Sequence, residues 1–562
     1  MNKVWNIKEI SCDKTKEYMD KFNISEFVAK LLLSKNIKED EVNSFLNPDI
    51  KNLNDPYLLD DMDKIVNRIC EAYNNSEKVV IYGDYDVDGI TSITLIYSFL
   101  KDLGVDVNYY LPDRLTEGYG LNKNALQKLK DEGYDLVITV DCGISALEEV
   151  EYAKSIGLDI CITDHHECSE SLPNAIAIVN PKRPNSKYPF CYLAGVGVTF
   201  KVITALVKKL NMSDYNYLKY LDIVSLGTIA DIVPLVGENR VITANGLKLL
   251  KVTKNEGLKA LIKVAQIAKV DSDSVSFGLA PRINASGRMA DASVAVKMLL
   301  AKNEIDAYNY AKVLDEENTQ RQEVERKIFK EAEEIIKKEG LEKNKTMVIA
   351  GRAWHQGVIG IVASKLTEKY MKPVILLTYD DDMAKGSGRI PQGISLYEVL
   401  TKCEDLLVTF GGHELAAGLT LKTENIEKFR KKFEEVIKEM KPDDFIRVID
   451  IDLEVTKDNI NLDNVNAIDV LAPFGQKNKK PIFIYKSMKV ESVCTLKDDK
   501  HLKFKLKDGD FALDAIYFGA GTRRDEVKIG DKIDAVFNMG INEFMGYTNI
   551  QLLMIDFKKS IN

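Results

Sequence analysis

From residue 78 onward, short apolar runs alternate with longer amphipathic stretches, and polar residues gather where the apolar runs stop. Residues 78–82 (KVVIY), 135–140 (DLVITV), 159–163 (DICIT) and 175–179 (AIAIV) are rich in β-branched side chains with little polar alternation. That is the pattern of strands covered on both faces. Helical patterns at 92–103 and 146–156 separate them, which predicts an open α/β sheet, mostly parallel. Three of the runs end directly in acidic or imidazole residues: Asp84, Asp86 and Asp88 after the first, Asp141 after the second, and Asp164, His165 and His166 after the third. Ligands bind at the carboxyl ends of strands in such sheets, so these loops are expected to converge on one site.

Before residue 56 the chain reads as helical, with one amphipathic stretch at 25–35. Residues 303–339 contain neither Gly nor Pro and predict one long polar helix suited to bridging two domains. A smaller α/β segment follows, with a strand at 346–350, a helix at 357–370, a strand at 373–379 and then glycine-rich turns. From about residue 446, short strands such as 503–506 and 534–538 with frequent turn signals predict a small β-barrel. The expected organisation is a helical segment at 1–55, an α/β catalytic domain at 56–302, a connecting helix at 303–342, a smaller α/β domain at 343–440 and the barrel at 441–562.

Composition adds bounds. With 45% hydrophobic and 29% charged residues in 562, each of several domains can bury a core. The net charge of −9 argues against coating nucleic acid by bulk electrostatics. Within 471–524, however, Lys and Arg outnumber Asp and Glu by 12 to 6, which leaves room for a local strand-binding surface. No apolar stretch approaches the ~18–20 residues that span a bilayer, and residues 1–10 lack the features of a secretory signal. A cytoplasmic protein without membrane contact is expected. The eight cysteines are scattered with no Cys-x-x-Cys pair, as in reduced thiols.

The acidic triplet in GDYDVDG (83–89) would repel itself in a cleft unless solvated or neutralised by a cation. Alone, such a triplet is commonly a solvated turn, and Asp141 or Asp231 (in GTIADIVPL) alone is commonly a cap or turn residue. Taken with His165 and His166 they make a ligand set suited to Mn or Mg. Zinc held by Cys142, Cys161 and Cys168 is the alternative, and their spacing fits no zinc motif. Acidic ligands on several loops suggest a two-metal cluster of the kind that hydrolyses phosphodiesters. Two glycine-rich stretches, Lys385 to Arg389 (KGSGR) and GGHELAAG at 411–418 with Gly412 and His413, combine exposed backbone amides with cationic or hydroxyl groups able to hold an anion. Arg282 and Arg288 in PRINASGR are a further pair of that kind, and His355 lies in a turn beside a strand.

In this order, GDYDVDGITS, EGYGLN, VDCG, DHH, SLGTIADIVPL, RINASGR, WHQGVIGIVASK, GSGR and GGHELAAG resemble the DHH family of phosphoesterases, within it the single-strand-specific exonuclease branch, over nearly the whole chain. The last motif resembles the DHH-associated domain, and LAPFGQKNKKPIF (471–483) the start of an OB-fold domain. The resemblance implies 5′-to-3′ cleavage of single-stranded DNA to mononucleotides with Mn2+ or Mg2+, in repair and recombination; a monomer is expected, with a helicase and a single-strand-binding protein as candidate partners. It implies Asp86, Asp88, Asp141, His165 and Asp231 as metal ligands, with Asp84 and His166 as catalytic neighbours. It further implies Ser387, Gly388 and Arg389, with Arg282 or Arg288, at the 5′-phosphate, and His355, Gly412 and His413 near the DNA. Tyr82 departs from the pattern, since phosphatase branches carry a metal-binding His there. The alternatives are a phosphodiesterase of short oligonucleotides or cyclic dinucleotides, and an inactive replication scaffold.

Overall fold

Uninterrupted Val, Ile and Thr sequences produce the first sheet. Its strands are β1 (Lys78–Gly83), β2 (Asp106–Tyr110), β3 (Leu136–Val140), β4 (Asp159–Thr163) and β5 (Ala177–Val179), in the order β2-β1-β3-β4-β5, with every pair parallel. All five residues of β3 are buried, as a strand covered on both faces requires. The edge strand β2 escapes the apolar-run criterion, because it is polar at alternate positions and half-exposed. Helix α1 (Val87–Asp102) leaves β1 and packs against α2 (Gly195–Lys209) and α3 (Leu221–Ala230). Residues 221–229 of α3 are all buried, so this helix is enclosed by others on every side. This helical layer was not anticipated in the sequence pattern, yet it supplies one wall of the site.

The computed structural model describes residues 3–112, 117–118, 120–441, 443–544 and 546–560; Tyr119 of the EGYGLN motif lies outside them. The chain divides into two compact units. One comprises Trp5–Ala280, Val296–Ala307 and everything from Ile449 onward, and the other is built mainly from Pro281–Ala295 and Tyr308–Val448. Among the described residues no helix is long and apolar enough to cross a membrane.

The second unit contains most of α4 (Glu304–Glu339) and a five-stranded sheet. Its strands are β6 (Met347–Arg352), β7 (Val374–Tyr379), β8 (Met383–Arg389), β9 (Thr409–Gly412) and β10 (Ala416–Lys422), in the order β9-β10-β8-β7-β6. Only β6 and β7 run parallel, joined through α5 (Gln356–Tyr370). Here the expectation of glycine-rich turns is corrected for KGSGR, which lies within β8, a central strand, whereas GGHELAAG spans the β9–β10 hairpin and includes its turn. The glycines of β8 serve packing. A Cβ on Gly386 would lie 2.5 Å from the Leu377 side chain, and one on Gly388 2.5 Å from Ile375. Likewise RINASGR is helical, inside Ala280–Met289.

In the first unit, β11 (Phe483–Leu496), β12 (His501–Asp508), β13 (Phe511–Tyr517), β14 (Lys532–Phe544) and β15 (Tyr547–Lys559) pair in the order β11-β12-β13-β15-β14. Strand β14 returns to β11 and closes a barrel. Its core is continuous with the N-terminal helices Cys12–Phe22 and Glu26–Ser34, and Phe27 stacks on Phe483 at 5.9 Å. The buried Arg240 guanidinium joins the barrel's leading segment to the helical layer. It donates to Phe45 O (2.8 Å) and Leu471 O (3.0 Å) and sits 3.7 Å from the Phe45 ring.

Candidate metal centre and anion-binding residues

The acidic residues stand where parallel strands end. After β1 the chain turns through Asp84 into α1. Asp86 caps that helix, accepting the Gly89 N–H at 3.0 Å. Asp88, in the first turn, is buried; its Oδ2 accepts the Gly195 N–H at 2.7 Å and its Oδ1 the Val196 N–H at 2.8 Å. These are two of the amides that the start of α2 leaves without intrahelical partners, at its positive end. Asp141 follows β3, His165 follows β4, and Asp231 caps the end of α3.

Three of the carboxylates meet one imidazole nitrogen. His165 Nε2 lies 3.1 Å from Asp141 Oδ1, 3.6 Å from Asp231 Oδ2 and 3.7 Å from Asp88 Oδ2, and it makes no hydrogen bond. Asp84, Asp86 and Asp141 form a second cluster, and Asp141 also groups with His165 and His166, each set holding its ligand atoms within 4.8 Å. The structure therefore brings together all seven residues expected here, with Asp141 common to two of the groups. Two glycines outside that expectation make the approach possible: a Cβ on Gly195 would lie 2.7 Å from Asp141 Oδ1, and one on Gly227 2.2 Å from Thr91 Oγ1.

Charge repulsion follows from this crowding. Burial, then the charge of Asp86, pushes Asp88 up to about 7. Burial, then Asp88 and Asp86, pushes Asp231 up to about 9. Burial and Asp88 also drive Asp141 well above the carboxylate range. A divalent cation removes that conflict, so the donor set fits Mn2+ or Mg2+. Burial and the neighbouring His166 push His165 down to about 3, leaving the neutral imidazole that ligates metals.

Asp164 behaves differently from its grouping with the histidines in the sequence. Its Oδ2 accepts the Ile144 N–H at 2.9 Å, and its Oδ1 accepts from His165 N and from His166 Nδ1, each at 2.7 Å. Against burial, these bonds and the His166 charge hold Asp164 below the usual carboxylate range. It positions the two histidines. In return, and against burial, Asp164 raises His166 to about 9.

The second unit gathers a cationic group around the first turns of α5. Arg389 donates to Ser364 Oγ (3.1 Å), Ser387 Oγ (3.1 Å) and Gly388 O (2.7 Å), and burial lowers its pKa. Arg288 donates to Gly357 O at 2.9 Å, and His355 caps α5 by accepting the Gly357 N–H at 3.2 Å. A Cβ on Gly360 would lie 2.9 Å from Ser387 Oγ. Gly360 and Ser364 are thus members of the group that the sequence did not single out; their helical spacing within GVIGIVASK was the available signal. Arg282 is engaged elsewhere, with Asp315 at 2.8 Å. Gly412 and His413 lie at the exposed tip of the β9–β10 hairpin, one strand beyond the partner of β8.

A parallel sheet with this acid cluster at its carboxyl edge defines a protein of the DHH class. Residues 78–228 match the DHH family, N-terminal domain, 344–439 the DHHA1 domain and 451–556 the RecJ OB domain. The chain belongs to the RecJ family. The single-stranded-DNA-specific exonuclease RecJ of Bacillus subtilis (strain 168) is 38% identical over 98% of this chain and 70% of its own length. The protein of the same name from Escherichia coli (strain K12) is 33% identical over 88% and 90%. The crystal structure of RecJ from Thermus thermophilus in complex with Mn2+ superposes with a TM-score of 0.86 at 25% identity, covering 100% of this chain and 80% of that one. A crystal structure of exonuclease RecJ bound to manganese gives 0.59 at 32% identity, covering 67% and 94%.

Proposed function

We propose that the chain degrades single-stranded DNA from the 5′ end to mononucleotides by metal-dependent hydrolysis, in DNA repair and recombination. The observation that carries this reading is the convergence of Asp88, Asp141 and Asp231 on His165 Nε2 within 3.1–3.7 Å. Asp86, Asp88, Asp141, His165 and Asp231 would hold two Mn2+ or Mg2+ ions, with Asp141 common to two of the ligand groups. Bound there, the ions would supply Lewis-acid chemistry for phosphodiester hydrolysis. Asp84 completes the cluster. His166, half-exposed and oriented through Nδ1 by Asp164, meets the scissile phosphate. Asp164 keeps both rings in place.

Ser387, Gly388 and Arg389, with Arg288 and His355 on the same helix N-terminus, take the 5′-phosphate through charge-assisted hydrogen bonds. The engagement of Arg282 with Asp315 favours Arg288 as the second arginine of that pocket. Gly412 and His413 contact the strand away from its terminus. The barrel, with its local excess of Lys and Arg, adds affinity for long strands. It also favours a polymer substrate over short oligonucleotides or cyclic dinucleotides, while the intact ligand set disfavours an inactive scaffold. The working form is a cytoplasmic monomer acting beside a helicase and a single-strand-binding protein.

The test is cleavage of 5′- and 3′-labelled strands of DNA and RNA, with and without a 5′-phosphate, in Mn2+ and Mg2+. Release of labelled mononucleotide from the 5′ end of single-stranded DNA is expected. Attack from the 3′ end, or internal cuts, would rule the reading out.

A further inference from the structure

Asp231 ends α3 as a member of the acid cluster, and the next residue, Ile232, has a φ of +59°. The position just beyond a helix C-terminus is one that glycine or asparagine ordinarily fills, and a β-branched residue with positive φ is a genuine outlier. Burial gives the side chain little in return, since Ile232 is 71% exposed. A strained backbone that displays an isoleucine to solvent, one residue from a metal ligand, calls for a contact made outside the chain.

The surroundings indicate what that contact is. The backbone is fixed: Leu235 N donates to Gln476 O at 2.9 Å, and Asn239 Nδ2 donates both to Pro234 O (3.0 Å) and to Tyr192 O (2.5 Å). The Tyr192 side chain is 38% exposed, and Lys477 Nζ sits 4.2 Å from its ring centroid. Tyr192 precedes by three residues Gly195, whose amide holds Asp88. Three segments tied by hydrogen bonds therefore carry an exposed aliphatic side chain next in the chain to Asp231, an exposed aromatic ring three residues before Gly195, and a lysine over that ring. Carboxylates repel a polyanion, so a strand at this edge needs apolar contact with its bases and sugars plus a cation set back from the acids.

We propose that Ile232, Tyr192 and Lys477 form the seat for the nucleotide that follows the scissile phosphate. Ile232 and Tyr192 receive its base, and Lys477 receives its phosphodiester. Such contacts are tolerant of base identity, and they exclude duplex, whose base faces are stacked away. The inference rests on the nuclease reading above for its substrate. Its test is independent of cleavage: binding of a fluorescent oligothymidylate to the full-length chain, measured by anisotropy without divalent metal, alongside thermal unfolding and calorimetric Mn2+ titration.

Ile232→Gly removes the side chain while accommodating the positive φ. We expect Tm to hold or rise, Mn2+ affinity to stay, and the Kd for the oligonucleotide to rise about fivefold or more, the scale of losing a base contact. Tyr192→Ala should weaken binding to a similar degree, and in cleavage assays the loss in both variants should fall mainly on KM. Weakened binding by Ile232→Gly at unchanged Tm supports the seat whether or not the wild-type chain cleaves. Wild-type affinity in both variants overturns it, as does a fall in Tm of several degrees in Ile232→Gly, which would make the side chain a packing element.

Discussion

The acid cluster of the first unit and the arginine group of the second both hold charge partly or wholly withdrawn from solvent, but with opposite deficits. Around His165 the chain assembles carboxylates that cannot all ionise together, with one neutral imidazole among them. Around Arg389 it assembles two hydroxyls and a carbonyl, all neutral acceptors, and among the described residues Arg389 makes no ion pair. Arg282, with its Asp315, shows how the same fold satisfies an arginine internally. Where a folded chain leaves such charge without its counter-charge, a counter-charge from outside can supply it; the ligands proposed above are a divalent cation at the first site and a 5′-phosphate at the second.

The largest expected effect breaks the acidic half of that comparison. Asp141→Ala should lower cleavage by about a thousandfold or more, while the metal-free Tm holds because a source of repulsion is gone. Near-normal turnover with Mn2+ present would remove Asp141 from the ligand set. Arg389→Ala probes the other half. It should weaken binding of 5′-phosphorylated strands by about 1.5–3 kcal/mol, the scale of a hydrogen bond to a charged group, and nearly equalise 5′-phosphate and 5′-hydroxyl substrates. A retained phosphate preference would place end reading elsewhere.

Asp164→Asn should reduce Mn2+ affinity or activity by about 10- to 100-fold, as removal of an orienting partner does, and calorimetry would register it. The smallest effect concerns pH. Folding raises Asp88 to about 7 and Asp231 to about 9. Between the ordinary carboxylate range and those values the folded metal-free chain binds more protons than the unfolded one, so its stability falls as pH rises through that window. Mn2+ displaces those protons, and the rise in Tm it causes should be larger near pH 8 than near pH 6. An equal rise at both would contradict the raised carboxylates.

What the sequence made legible follows from how each feature is encoded. Buried parallel strands are written as continuous β-branched runs, so the ends of β1, β3 and β4, and hence the positions of Asp84, Asp141 and His165, are legible in the sequence. The edge strand β2 is polar at alternate positions and gave no such run. KGSGR reads as a turn because glycine disfavours strands; its place in the centre of a sheet depends on Leu377 and Ile375, which need the space. The function of Asp164 could not be separated from that of its neighbours in a DHH tripeptide, since the difference lies in which backbone amides surround it. Gly195 serves through its N–H and its missing side chain, neither of which leaves a chemical signature in sequence. The union of the N-terminal helices with the barrel core joins segments more than 400 residues apart, as Phe27 and Phe483 do, and no local pattern carries that.

The central claim is that the carboxylates around His165 exist to hold divalent metal, and calorimetric titration of the metal-free chain with Mn2+ tests it most directly. The account predicts saturable binding of two ions per chain, with the Asp141→Ala variant losing both or retaining only one at much lower affinity. Absence of binding by the wild-type chain, or the same stoichiometry and affinity in Asp141→Ala, would contradict it.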